Sequence, residues 1–237
     1  MAGPTSPSVW AVVPAAGRGT RFGGDVPKQY LEVAGRSLLE HALHALLSHP
    51  RVDGAVVALA ADDARWPGWT ALEGKPVLRC EGGCERADSV LAGLHALPVP
   101  VPADALVLVH DAARPNLDAA DLGRLIDAAA RSRDGALLAA PVRDTLKRAD
   151  RAGLSEATVS RDSLWRAMTP QAFRRDALMR ALLSARAAGI AVTDEAMAVE
   201  RTGGRPLLVE GREDNLKVTT PADLGLVGYL LAARSGS

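Results

Sequence analysis

Two glycines and two cations lie close together near the start of the chain. Gly17 and Gly19 follow the apolar run Val9-Trp10-Ala11-Val12-Val13-Pro14-Ala15-Ala16, and Arg21 and Lys28 come next, the latter within Pro27-Lys28-Gln29-Tyr30. Where glycines remove side chains, backbone N–H groups can approach phosphate oxygens, and the two cations add charge. That combination suits a triphosphate. A dinucleotide fingerprint would want a third glycine where Phe22 stands and an acidic residue at a strand end about twenty positions on, whereas Glu40 falls in a helical pattern. A Walker loop would close on Gly-Lys-Ser/Thr, which is missing here. A tight strand-to-helix turn would account for the glycines alone.

Four further clusters carry chemistry. Gly82-Gly83-Cys84-Glu85-Arg86-Ala87-Asp88-Ser89 again puts glycines between a strand and a helix; Ser89 fits a helix N-cap, and Gly83 would let the backbone approach a base or ribose. His110-Asp111-Ala112-Ala113-Arg114-Pro115 follows an apolar run directly. An aspartate at the end of a central strand suits a ligand or a divalent ion, with a salt bridge to Arg114 as the plainer role. His110 reads as a packed, hydrogen-bonded side chain rather than a general base. Thr193-Asp194-Glu195 could cap the helix after it, and Lys217, just before Thr219-Thr220-Pro221, adds charge near a helix start.

These residues need a scaffold that brings strand ends together. Apolar runs at Trp10–Pro14, Gly54–Leu59, Ala105–Val109, Ala136–Ala140 and Pro206–Val209 alternate with helical patterns at Ser37–Leu47, Ser89–Leu97, Ala119–Ser132, Arg175–Gly189 and Pro221–Ala233. Continuous apolar strands imply a sheet covered on both faces, so an α/β fold with a mostly parallel, doubly wound, Rossmann-like sheet is expected, with ligands at the carboxyl ends of its strands. Val142–Asp150, a turn at Arg151-Ala152-Gly153, and Leu154–Arg161 break the alternation as two polar extended stretches. A hairpin that cannot bury a face alone is expected to reach a partner subunit.

Bulk properties narrow the classes. The 237 residues are 48% hydrophobic, and 28 Lys plus Arg balance 28 Asp plus Glu, so one large domain is expected with no global basic field for nucleic acid. Two cysteines, Cys80 and Cys84, give no disulfide framework and no confident zinc site. With no apolar stretch of membrane-spanning length and no signal-like start, a cytoplasmic protein is expected.

The ordered set Ala15-Ala16-Gly17-Arg18-Gly19-Thr20-Arg21, Pro27-Lys28-Gln29-Tyr30, Glu85-Arg86-Ala87-Asp88-Ser89-Val90, His110 to Pro115, Thr193-Asp194-Glu195 and Asn215-Leu216-Lys217-Val218-Thr219 resembles the 2-C-methyl-D-erythritol 4-phosphate cytidylyltransferase family over nearly the whole chain. The resemblance implies a single nucleotidyltransferase domain over 1–237, acting on CTP and methylerythritol phosphate with Mg²⁺ in isoprenoid precursor synthesis. It implies that Ala15, Ala16, Gly17, Gly83 and Ser89 hold the cytidine and that Arg21 and Lys28 stabilise the transition state. Asp111 and Arg114 would line the junction of the two substrates, with Asp111 a candidate metal ligand. Arg161 and Lys217 would position the acceptor, helped by Thr145, Thr169 and Thr193. The family's hairpin arm, here 141–165, crosses between the subunits of a homodimer, so Thr145 and Arg161 would act in trans. A pentitol phosphate cytidylyltransferase would use much the same motifs, and a silent nucleotide-binding module is the reading from another class.

Overall fold

The computed structural model describes residues 7–17 and 26–235. Its elements run β1 (Val9–Pro14), a single 3₁₀ turn at Lys28–Tyr30, β2 (Glu32–Val33), β3 (Arg36–Ser37), α1 (Leu38–Leu47), β4 (Gly54–Leu59), β5 (Ala71–Leu72), β6 (Lys75–Glu81), α2 (Arg86–His95) and β7 (Leu106–Val109). There follow α3 (Ala119–Arg131), β8 (Ala136–Pro141), β9 (Leu146–Ala149), β10 (Ser155–Val159), β11 (Trp165–Arg174), α4 (Arg175–Ala187), α5 (Glu195–Arg201), β12 (Leu207–Glu210) and α6 (Pro221–Ser235).

Eight strands form one sheet in the order β12-β8-β11-β7-β1-β4-β6-β5. β1 pairs in parallel with both β4 and β7, β6 is parallel to β4, and β12 is parallel to β8; β11 runs antiparallel to both of its neighbours. The runs of β1, β4, β7 and β8 are buried because helices cover both faces, whereas β12 at the sheet edge leaves Leu207 and Leu208 exposed. Leu39, Leu43, Leu46 and Leu47 of α1 and Leu122, Leu125 and Ile126 of α3 join one core, while Val90, Leu91 and Leu94 of α2, Leu178 and Leu182 of α4 and Val199 of α5 join the other. Strand order reverses at β1, with β4 and β6 on one side and β7 on the other, and this opens a crevice at the carboxyl ends of β1 and β7.

Three sequence expectations are corrected. α2 begins at Arg86 and not at Ser89, because Glu85 is the N-cap and forms a capping box with Asp88. β11 was not expected as a strand. It carries Pro170 next to the middle of the sheet, where a missing N–H normally breaks a ladder, and its register against β8 shifts between Ala167 and Gln171. The polar hairpin is present, but its strands are shorter than expected: β9 and β10 pair only with each other and join no other sheet.

Candidate active site

Ala15, Ala16 and Gly17 continue from β1, and the Ala15 N–H donates to the Ala58 carbonyl at 2.8 Å, which keeps this loop against β4. Buried Gln29 donates from Nε2 to the Ala15 carbonyl at 2.8 Å, so the turn bearing Lys28 is tied to the same loop. Across the crevice, the Gly82 N–H reaches the Leu59 carbonyl at 2.7 Å and the Ser89 hydroxyl accepts from the Gly83 N–H at 3.1 Å. A Cβ on Gly83 would lie 2.2 Å from the Asp88 Cβ, so no other residue fits there without moving α2. A Cβ on Gly17 would meet nothing within 4 Å among the described residues. Packing therefore demands the glycine at 83, whereas none of the described residues demands it at 17. A cavity of about 240 Å³ lies between these loops, with Lys28, Gly83 and Ser89 along its lining and Arg86, Asp111 and Lys217 completing its wall.

A second cavity of about 200 Å³ shares Arg86, Asp111 and Lys217 and adds Arg114, Thr169 and Thr193. Asp111 sits at the end of β7, and both of its carboxylate oxygens are engaged: Oδ1 accepts from Arg86 Nε at 3.0 Å, and Oδ2 lies 2.8 Å from Lys217 Nζ and 4.0 Å from Arg114 Nε. Its backbone N–H donates to Thr169 Oγ1 at 3.0 Å. Burial alone would raise the Asp111 pKa, but Arg86, Lys217 and Arg114 reverse that and hold it well below the usual carboxylate range. Lys217 is carried by a loop fixed from both ends. Asn215 donates to the Thr169 carbonyl at 2.9 Å and accepts from Arg114 at 2.7 Å through its own carbonyl, and the Val218 N–H reaches the Ala113 carbonyl at 2.8 Å. Two adjoining anion-sized spaces with a common cationic wall can bring two phosphorylated molecules together.

The model of the 2-C-methyl-D-erythritol 4-phosphate cytidylyltransferase family matches residues 9–233. A 2-C-methyl-D-erythritol 4-phosphate cytidylyltransferase of Stenotrophomonas maltophilia is 63% identical over 231 residues, 98% of this chain and 100% of that one, and one of Xanthomonas campestris is 65% identical over 227 residues, 96% and 86%. The chain belongs to this cytidylyltransferase family. Among solved structures, a 4-diphosphocytidyl-2C-methyl-D-erythritol synthase superposes with a TM-score of 0.81 at 40% identity, covering 96% of this chain and 99% of that one. The 2-C-methyl-D-erythritol 4-phosphate cytidylyltransferase of Thermus thermophilus does so at 0.76 and 34%, covering 96% and 100%. The doubly wound nucleotidyltransferase architecture is therefore the family's own.

Within that frame the expected residues divide into four groups. Ala15, Ala16, Gly17, Lys28, Gly83, Ser89, Asp111 and Lys217 line the first cavity, and Arg114, Thr169 and Thr193 line the second. Thr145 and Arg161 line neither; Arg161 is exposed on the arm, where its guanidinium donates to the Arg143 carbonyl. Arg21 lies outside the described residues. Two hydroxyls turn inward: Ser89 holds the Gly83 backbone and buried Thr169 holds the Asp111 N–H. His110 is fully buried, with Nε2 at 3.0 Å from the Arg114 carbonyl and Nδ1 at 3.1 Å from Thr169 Oγ1, and burial pulls its pKa down to about 4. No three potential metal-binding side chains cluster among the described residues, and each Asp111 oxygen already faces a cation, Arg86 on one and Lys217 on the other.

Sequence reasoning gave no role to Arg86, Glu195 or Gln29. Arg86 lines both cavities, and its fork grips Glu195 with Nη1 at 2.5 Å and Nη2 at 3.0 Å. Burial works to lower the Arg86 pKa, but Glu195 and Asp111 outweigh it and keep the guanidinium charged. All three stand in strings that carry the family resemblance, Arg86 beside the glycine pair, Gln29 next to Lys28 and Glu195 at a helix start, but no local pattern joins them.

Proposed function

We propose that this protein transfers the cytidylyl group of CTP to 2-C-methyl-D-erythritol 4-phosphate, releasing pyrophosphate and forming CDP-methylerythritol, a step of isoprenoid precursor synthesis. The observation that carries the reading is the common wall of Arg86, Asp111 and Lys217 between two cavities, in a chain of this family. CTP takes the larger space, with its base and ribose against Gly83 and the 15–17 loop, and the acceptor phosphate takes the smaller one.

An acceptor phosphate oxygen attacks the α-phosphorus of CTP, a new P–O bond forms, and the bond to the β-phosphate oxygen breaks. A phosphate monoester has its second pKa near ~6, so at neutral pH the nucleophile is already largely a dianion and needs no base. The barrier lies in bringing two polyanions together, and preorganised cations answer it. Lys28 offers a point charge and Arg21 a planar fork to the triphosphate; Lys217 and Arg114 draw the acceptor phosphate in. The donor set fits Mg²⁺ carried in by the nucleotide phosphates rather than caged by side chains, with Asp111 the strand-end carboxylate nearby. Such an ion supplies charge neutralisation to the departing pyrophosphate. The chain works as one domain in a cytoplasmic homodimer, with the 141–165 arm delivering Thr145 and Arg161 to the partner's acceptor space.

The test is pyrophosphate release with Mg²⁺ and each nucleoside triphosphate, using methylerythritol phosphate or ribitol 5-phosphate as acceptor. Turnover with CTP and methylerythritol phosphate alone is expected. Preference for ribitol 5-phosphate would move the acceptor, and CTP binding without turnover would remove the enzyme reading.

A further inference from the structure

We infer that Glu195 is a positioning residue for phosphoryl transfer, acting through Arg86 on the carboxylate and ammonium that separate the two substrates. The inference rests on the cytidylyl-transfer reading above. Glu195 is 1% exposed and lines neither cavity, so it has no route to a substrate of its own. Its carboxylate is nonetheless the anchor of a continuous chain of ion pairs. Both oxygens hold the Arg86 fork, Arg86 Nε holds Asp111 Oδ1 at 3.0 Å, and Asp111 Oδ2 holds Lys217 at 2.8 Å.

The anchor is itself fixed. Glu195 is the first residue of α5, whose N-cap Asp194 accepts from the Met197 N–H at 2.9 Å. Gln171, buried on β11 opposite Val109, donates to Asp194 Oδ2 at 2.9 Å and accepts from the Ala196 N–H at 2.8 Å. One amide thus clamps both sides of Glu195 to the sheet. A guanidinium is planar, so bidentate contact at one edge dictates where Nε points. With the Arg86 plane set by Glu195, the Asp111 carboxylate can face it with one oxygen only, and the other is left towards Lys217. Burial raises the Glu195 pKa while the Arg86 fork opposes that rise, so it is the fork that favours the carboxylate form.

Glu195→Gln preserves size but places an amide N–H₂ against one arm of the fork. If Glu195 positions the junction, kcat falls about 10- to 100-fold, the scale of loss for ~1 Å misplacement, with both KM values changed by less than ~3-fold and the melting temperature retained. Arg86→Lys keeps the charge and loses the fork; the same split is expected from it, and it serves if Glu195→Gln does not fold. The Arg86 Nε–H resonance in ¹⁵N NMR reads the geometry without turnover and should shift and exchange faster in Glu195→Gln. An unchanged kcat in the folded variant overturns the inference, as does a loss in which melting temperature and both KM values move together, since that is a purely structural tie between α2 and α5. Wild-type protein that releases no pyrophosphate fails the transfer reading instead; an unchanged Nε–H resonance in the variant then overturns the positioning role, and a shifted one upholds the coupling.

Discussion

The turn bearing Lys28 is tied to the 15–17 loop by the Gln29 amide and closed by the Tyr30 N–H on the Pro27 carbonyl at 2.9 Å, and both bonds survive truncation of the Lys28 side chain. Lys28→Ala is expected to fold normally by circular dichroism and to lose 10²- to 10³-fold in kcat, about 3 to 4 kcal/mol of transition-state stabilisation. His110 makes the opposite kind of prediction, on stability. Its folded pKa of about 4 lies below the ordinary 6.5, so above pH 6.5 neither state binds the proton, and between 6.5 and 4 the unfolded chain binds it and the folded chain does not. Stability therefore falls as pH drops through that window, by up to about 3 kcal/mol from this residue. Urea unfolding at pH 7, 5.5 and 4.5 should show wild type losing stability relative to His110→Asn. Asp111 was legible in the sequence because it follows an apolar run, Lys28 because it comes soon after a glycine loop, and Lys217 because it stands just before a Thr-Pro helix start. Arg86 was not, because its partner Glu195 lies 109 positions away and no local pattern reports a pairing over that span.

The five long apolar runs became strands with boundaries within about a residue; for β1, β4, β7 and β8 burial on both faces leaves an unbroken hydrophobic signature, while β12 is an edge strand whose Leu207 and Leu208 stay exposed. β11 escaped because only its second half is buried: Trp165, Arg166 and Ala167 are exposed, Met168 to Phe173 are buried, and Pro170 interrupts the run that would have marked it. α2 was read late because Ser89 is a good cap by type, yet the Glu85–Asp88 pair starts the helix three residues earlier. The arm of β9 and β10 is the element whose role is most directly testable. A lone two-stranded hairpin is marginal in water, and its polar strands bury no face within this subunit. If Arg161 serves the partner's site, mixing Lys28→Ala and Arg161→Ala subunits under exchange should recover activity, because one site of each heterodimer has Lys28 from one chain and Arg161 from the other. No recovery in verified heterodimers would rule out the sharing.

At the scale of the molecule, the alternation of runs and helices made the doubly wound class and a site at the strands' carboxyl ends readable, while the strand order, with β11 between β7 and β8, was not. Subunit number did not follow, because an interface is a property of surfaces with no periodicity to betray them. Leu164, Trp165, Leu226 and Tyr229 are large apolar side chains left at least 36% exposed, and the first two sit where the arm joins β11. A dimer that completes each site with the other's arm should lose specific activity on dilution, in parallel with the fall in dimer measured by sedimentation velocity. Constant activity through complete dissociation would make each subunit self-sufficient.

One carboxylate, Asp111, faces both cavities and balances cations on two sides. Any anion entering one space competes for those cations and so changes what the other space feels, which makes the two occupancies thermodynamically linked. Linkage of this kind has no direction: whatever factor CTP imposes on the affinity for the acceptor, the acceptor must impose on the affinity for CTP.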